Sequence, residues 1–95
     1  MDKKQAYQDK FQAQLDEWEA QIDVLKAQAQ KAEADARLKY MKEVDDLKAI
    51  KKKAEARMNE LQHAQGEAWQ DVRAGVQAAW DELGDAVKDA RKRFS

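Results

Sequence analysis

Cysteine and proline are both missing from this 95-residue chain. Without cysteine there is no disulfide framework, no thiolate nucleophile and no cysteine-ligated zinc. Without proline, no pyrrolidine ring interrupts a helix. Glycine occurs three times, at 66, 75 and 84, so the first 65 residues contain none. An excess of one charge is missing too: 18 Lys and Arg face 19 Asp and Glu, which is not the basic surplus of a nucleic-acid binder. No apolar run approaches the ~20 residues of a membrane span. The opening Met-Asp-Lys-Lys-Gln-Ala-Tyr-Gln has no apolar core, so no signal peptide is expected and the expected compartment is the cytoplasm.

The familiar signatures of catalysis are missing as well. There is no Gly-rich phosphate loop, no G-x-S-x-G, no H-E-x-x-H and no calcium-loop pattern. His63 is the one histidine, and nothing near it in sequence completes a ligand set or a proton shuttle. It reads as a residue near a helix end, facing terminal carbonyls. The acidic pairs Asp45-Asp46 and Asp81-Glu82 read as solvated helix faces. The chain is therefore expected not to be an enzyme, with no catalytic residue, no cofactor, no metal, no small-molecule substrate and no nucleic-acid partner.

What is present is helix-forming sequence. Hydrophobic residues make up 43% of the chain, but 18 of them are alanine and 23 are larger. A compact core built from so few large side chains is thin, and self-association is the usual remedy in small chains. High charge and low hydropathy are also the marks of disorder, but here the apolar residues are periodic. Residues 3–63, rich in Ala, Gln, Lys, Glu and Leu, read as one long helix of roughly 90 Å at 1.5 Å per residue.

Its seam is legible. Phe11, Leu15, Trp18, Ile22, Leu25, Ala29, Ala32 and Ala36 follow alternating spacings of four and three, a heptad stripe. Lys39 would fall in the stripe next. The pattern instead resumes at Tyr40, Val44 and Leu47, a stutter that relaxes supercoiling, and continues through Ile50, Ala54, Met58 and Leu61. Pairing residues whose numbers add to 72 sets apolar against apolar (Ile22 with Ile50, Leu25 with Leu47) and acid against base (Glu19 with Lys53, Lys26 with Asp46).

That symmetry is the mark of antiparallel pairing about Ala36, and it has two realisations related by a domain swap. One is an antiparallel homodimer with an unbroken helix in each chain. The other is a monomeric three-helix bundle with a bend near residues 34–38. The centre, Glu33-Ala34-Asp35-Ala36-Arg37-Leu38, carries no turn residue, which favours the dimer.

A turn is expected at about 64–66, with Gly66 as the residue just past the helix end. The remainder, about 67–94, reads as a second helix folded back on the first, so that residues 1–95 form a single all-α coiled-coil unit. This helix carries an eleven-residue repeat: Ala68-Trp69 through Val76 aligns with Ala79-Trp80 through Val87, and a decayed copy ends near Phe94. Eleven residues make three helical turns. At 100° steps Trp69, Val72, Val76, Trp80, Leu83, Val87 and Phe94 share a stripe roughly 80° wide. Arg73 and Arg91 border one side, and Asp71, Asp81, Glu82, Asp85 and Asp89 lie opposite. Gly75 and Gly84 flank the stripe, where the lack of a Cβ permits close helix approach. The stripe reads first as a packing face and, in the alternative, as an amphipathic surface for lipid or storage granules. The basic clusters Lys51-Lys52-Lys53 and Arg91-Lys92-Arg93 are explained by an acidic partner stretch and by a helix C-terminus.

Several segments together resemble a group of small bacterial coiled-coil proteins described as stress-induced, with apolipoprotein-like repeats. They are the opening eight residues, Gln-Leu-Asp-Glu-Trp around Trp18, Ile22-Asp23-Val24-Leu25-Lys26, the Gly66-Glu67-Ala68-Trp69 junction and Ala79-Trp80-Asp81-Glu82-Leu83. The resemblance implies a bacterial cytosolic protein expressed under stress, with no catalytic residues. The expected function is that of a non-enzymatic, self-associating structural or interaction protein, whose partner is a second copy of itself. A peripheral lipid surface is the alternative partner.

Overall fold

Long runs of Ala, Gln, Glu, Lys and Leu lose little side-chain entropy in a helix, and the chain is helical almost throughout. The computed structural model describes residues 3–94. It has three helices, α1 (Lys3–Lys31), α2 (Ala34–His63) and α3 (Ala68–Phe94), which pack on one another. Contacts give their directions. Lys4 of α1 reaches the end of α2, Glu19 reaches Lys51, and the ring of Tyr40 of α2 packs tilted against Phe94. The helices therefore run up, down and up, and α1 and α3 begin at the same end.

The unbroken helix expected over 3–63 is interrupted at Ala32–Glu33. A helix of 29 or 30 residues spans about 45 Å. The 52 Å long axis of the molecule matches one such helix, not the ~90 Å of a straight one. The break lies just ahead of the 34–38 region considered for a bend. Its cause is tertiary. A straight helix would leave the half of the seam beyond the reach of α3 in water within a single chain, whereas folding it back buries that seam.

No special residue makes this turn. The Ala32 amide donates to the Ala29 carbonyl, tightening the end of α1. Glu33 is extended (φ −62°, ψ 158°) and caps α2 with its backbone, not its side chain. The Arg37 amide donates to the Glu33 carbonyl at 2.6 Å, and the Arg37 guanidinium donates to the Ala32 carbonyl through Nε at 3.3 Å and Nη2 at 3.2 Å. A cation thus sits on the negative end of α1.

The second turn falls where expected. α2 ends at His63, whose Nδ1 lies 2.8 Å from the Asn59 carbonyl. Ala64 is the cap residue, with its amide bonded to the Leu61 carbonyl. Gly66 has a φ of +59°, as a left-handed turn position requires. It lies two residues beyond the cap instead of directly after it, so it shapes the entry to α3. Lys4 closes this end as Arg37 closes the other: its Nζ donates to the carbonyls of Gln62 (3.2 Å) and Ala64 (2.6 Å).

The two helical glycines do different work. A Cβ on Gly84 would lie 2.9 Å from Cζ2 of Trp18, so Gly84 makes room for that indole; a Cβ on Gly75 would meet nothing within 4 Å. Close approach thus explains Gly84 and not Gly75. Gly75→Ala is expected to raise unfolding stability by roughly 0.5–1 kcal/mol through helix propensity alone. Gly84→Val is expected to lower it by about 1–3 kcal/mol, because a rigid indole must move. Urea titrations of the two variants against the parent check both signs.

Candidate functional site

The seam residues come together inside one chain. Phe11, Leu15, Ile22, Leu25, Ala29, Val44, Leu47, Ala54, Met58 and Leu61 are buried, and Trp18, Ala36, Tyr40 and Ile50 are half-buried. The stripe of α3 closes over them: Val76, Trp80, Leu83 and Val87 are buried, and Trp69, Val72 and Phe94 are half-buried against the same core. The third helix therefore turns its apolar face inward. Among the described residues two large apolar side chains stay exposed, Val24 at 57% and Leu38 at 75%.

Trp80 is the centre of the assembly. It is fully buried, and its Nε1–H donates to the Phe11 carbonyl at 3.0 Å. Its ring lies 5.3 Å from Phe11 and 6.5 Å from Trp18, in tilted arrangements that suit the quadrupoles of aromatic rings. The cluster continues to the end where α1 and α3 begin. There Tyr7 stacks on Phe11 and lies 5.9 Å from Trp69. Arg73 Nη1 donates to the Tyr7 hydroxyl at 2.6 Å, with its guanidinium carbon 4.7 Å from the ring centre.

Charge pairing between α1 and α2 is sparser than the sum-of-72 rule anticipated, and it is shifted. Glu19 meets Lys51 at 2.8 Å, not Lys53. Lys26–Asp46 is not among the ion pairs of the described residues, and Arg37 serves the bend. Other ion pairs are Lys51–Glu55, Arg57–Glu60 and, between α2 and α3, Glu43–Arg93. The hydrogen bond from Lys51 to Glu19 holds the Lys51 ammonium above its ordinary range; partial burial opposes this, and the charges of Glu19 and Glu55 reinforce it.

A cation favoured by the fold contributes fully below the ordinary lysine pKa of about 10.4 and loses that contribution as pH rises through the raised value. Lys51→Met is thus expected to cost up to about 1 kcal/mol near neutral pH. In urea melts across pH 7–12 the gap to the parent should close at the alkaline end.

Among the described residues no three acidic or histidine side chains cluster as a metal site, and no helix is long and apolar enough to cross a membrane. The geometry is that of one apolar core shared by the three helices. The contact that sequence reasoning missed is Tyr7–Arg73. It joins residues 66 apart, and the one sequence signal was the place of Arg73 on the border of the α3 stripe. No protein-family model, curated protein or solved structure matches this chain.

Proposed function

We propose that this chain is a non-enzymatic structural and interaction protein that associates with a second copy by opening its first helical hairpin and exchanging α1. The observation that carries this reading is the Ala32–Glu33 connection. Two helix-forming residues make the whole turn, and one of them, Glu33, departs from helix mainly in ψ. Rotation there restores an unbroken helix over 3–63. The seam then pairs with the partner's seam through the contacts the monomer already makes.

Leu38 supports the same reading. The most exposed large apolar side chain among the described residues stands one turn past the bend, where a partner chain would cross in the exchanged form. The resemblance to stress-induced bacterial coiled-coil proteins is in keeping with a structural role. The lipid-surface alternative demands more of the molecule, since α3 must leave the bundle and give up the Trp80–Phe11 hydrogen bond.

Light scattering across a concentration series tests the proposal. A concentration-dependent equilibrium between the 10.9 kDa chain and a species of twice that mass is expected. A mass that stays at the single-chain value up to millimolar protein overturns it.

A further inference from the structure

At the end where α1 and α3 begin, a cleft of about 540 Å³ opens between them, lined by Lys3, Ala6, Tyr7, Lys10, Trp69, Gln70 and Arg73. Its size falls in the range of small-molecule sites, roughly 300–1,000 Å³. Among the described residues the lining holds three cations and no carboxylate, in a chain whose net charge is −1.

Its hydrogen-bonding groups are almost all donors. Of the five N–H groups of Arg73, one is engaged by Tyr7, and the other four have no partner among the described residues. The Tyr7 contact also holds this half-buried guanidinium in place before any ligand arrives. The Tyr7 hydroxyl accepts from Arg73 and keeps its own proton to donate.

Lys3 breaks a local rule. A cation in the first turn of a helix opposes the dipole, at roughly 0.3–1 kcal/mol. The neighbouring Lys4 is explained by the α2 carbonyls it caps; Lys3 caps nothing among the described residues. Local rules broken without a structural return cluster at functional sites. The positive ends of α1 and α3 reinforce the charge of this corner. Beside the cations stand two aromatic rings, Tyr7 and Trp69, with Ala6 between Lys3 and Tyr7 leaving space.

We infer that this cleft binds a flat phosphate monoester of nucleotide size, its phosphate held by Lys3, Lys10 and Arg73 and its planar body against Trp69. The site forms in the closed bundle and does not depend on hairpin exchange. Inorganic phosphate satisfies the cations alone, and an uncharged nucleoside satisfies the rings alone, so neither should bind as well as the two joined.

Calorimetric titration of the full chain in low salt tests this with AMP, adenosine and inorganic phosphate. AMP should bind at least tenfold more tightly than either other probe. The Lys3→Gln/Lys10→Gln variant, altered at two exposed positions and checked for unchanged helix content, should bind AMP at least tenfold more weakly. Trp69→Ala should weaken AMP but not phosphate, and Trp69→Phe should restore most of the loss. Equal affinity for AMP and phosphate, or an undiminished double variant, overturns the inference. So does binding to phosphatidylglycerol vesicles with no response to AMP.

Discussion

Trp80→Ala is expected to remove about 3–5 kcal/mol of unfolding stability, the usual loss when a buried tryptophan is truncated. Small domains hold about 5–15 kcal/mol in total, so the variant should be partly unfolded at room temperature, with exchange-broadened amide spectra and a urea transition starting near zero denaturant. Two effects combine. The cavity opens between α1 and α3, against Phe11 and Trp18, and a chain with so few large side chains has little left to collapse into it. The hydrogen bond adds less. The Phe11 carbonyl lies within α1 and retains the helical amide of Leu15 as a partner, so losing the indole N–H does not orphan it. Trp80→Phe therefore separates the terms: it keeps most of the ring volume, loses the N–H, and should cost about 1–2 kcal/mol, the smaller part being the hydrogen bond. If Trp80→Ala melts within 1 kcal/mol of the parent, α3 is not integral to the core.

Much of this core could be read from spacing alone. The fifteen seam residues from Phe11 to Leu61 and the seven of the α3 stripe are all buried or half-buried, because helical period and burial are directly coupled. The second turn was legible because Gly66 is cheap at positive φ. The first was not, because nothing in Ala32-Glu33-Ala34 prefers a turn. That bend is set by the need of one chain to bury two halves of a seam, and by the Arg37 contact with Ala32, neither of which is a local signal. Pair register failed for a related reason. A pairing sum places charges opposite one another only if the axis is known, and the axis moves with the bend, so Glu19 finds Lys51. Gly75 and Gly84 occupy equivalent flanks of one stripe, yet only the position of Trp18 on another helix tells them apart. The cleft was hidden because Lys3 and Lys10 come from one end of the sequence and Trp69 and Arg73 from the other.

Hairpin exchange predicts opposite responses to two changes at the first turn. Glu33→Pro should hold the chain as a monomer. The φ of Glu33, −62°, already suits proline's fixed value near −65°. Its amide has no backbone acceptor among the described residues, and Ala32, restricted by a following proline, already lies outside α1. The closed form therefore accepts the ring and gains about 0.4–1 kcal/mol from a less flexible unfolded chain. The unbroken helix does not accept it, since an interior proline costs about 3 kcal/mol in each chain. Two such penalties per dimer, about 6 kcal/mol together, should weaken association by about 10,000-fold, using the tenfold change per 1.4 kcal/mol. Arg37→Ala acts in the other direction. It removes the guanidinium from the Ala32 carbonyl and leaves the end of α1 unsatisfied, while alanine suits an unbroken helix at least as well as arginine. The dimer fraction should rise at fixed concentration. Light scattering of parent, Glu33→Pro and Arg37→Ala at one concentration series reads all three. The order Arg37→Ala, parent, Glu33→Pro in dimer content is the expected result. A Glu33→Pro dimer as strong as the parent's would mean that association uses a surface other than the seam, with Leu38 and Val24 the apolar side chains left to supply it.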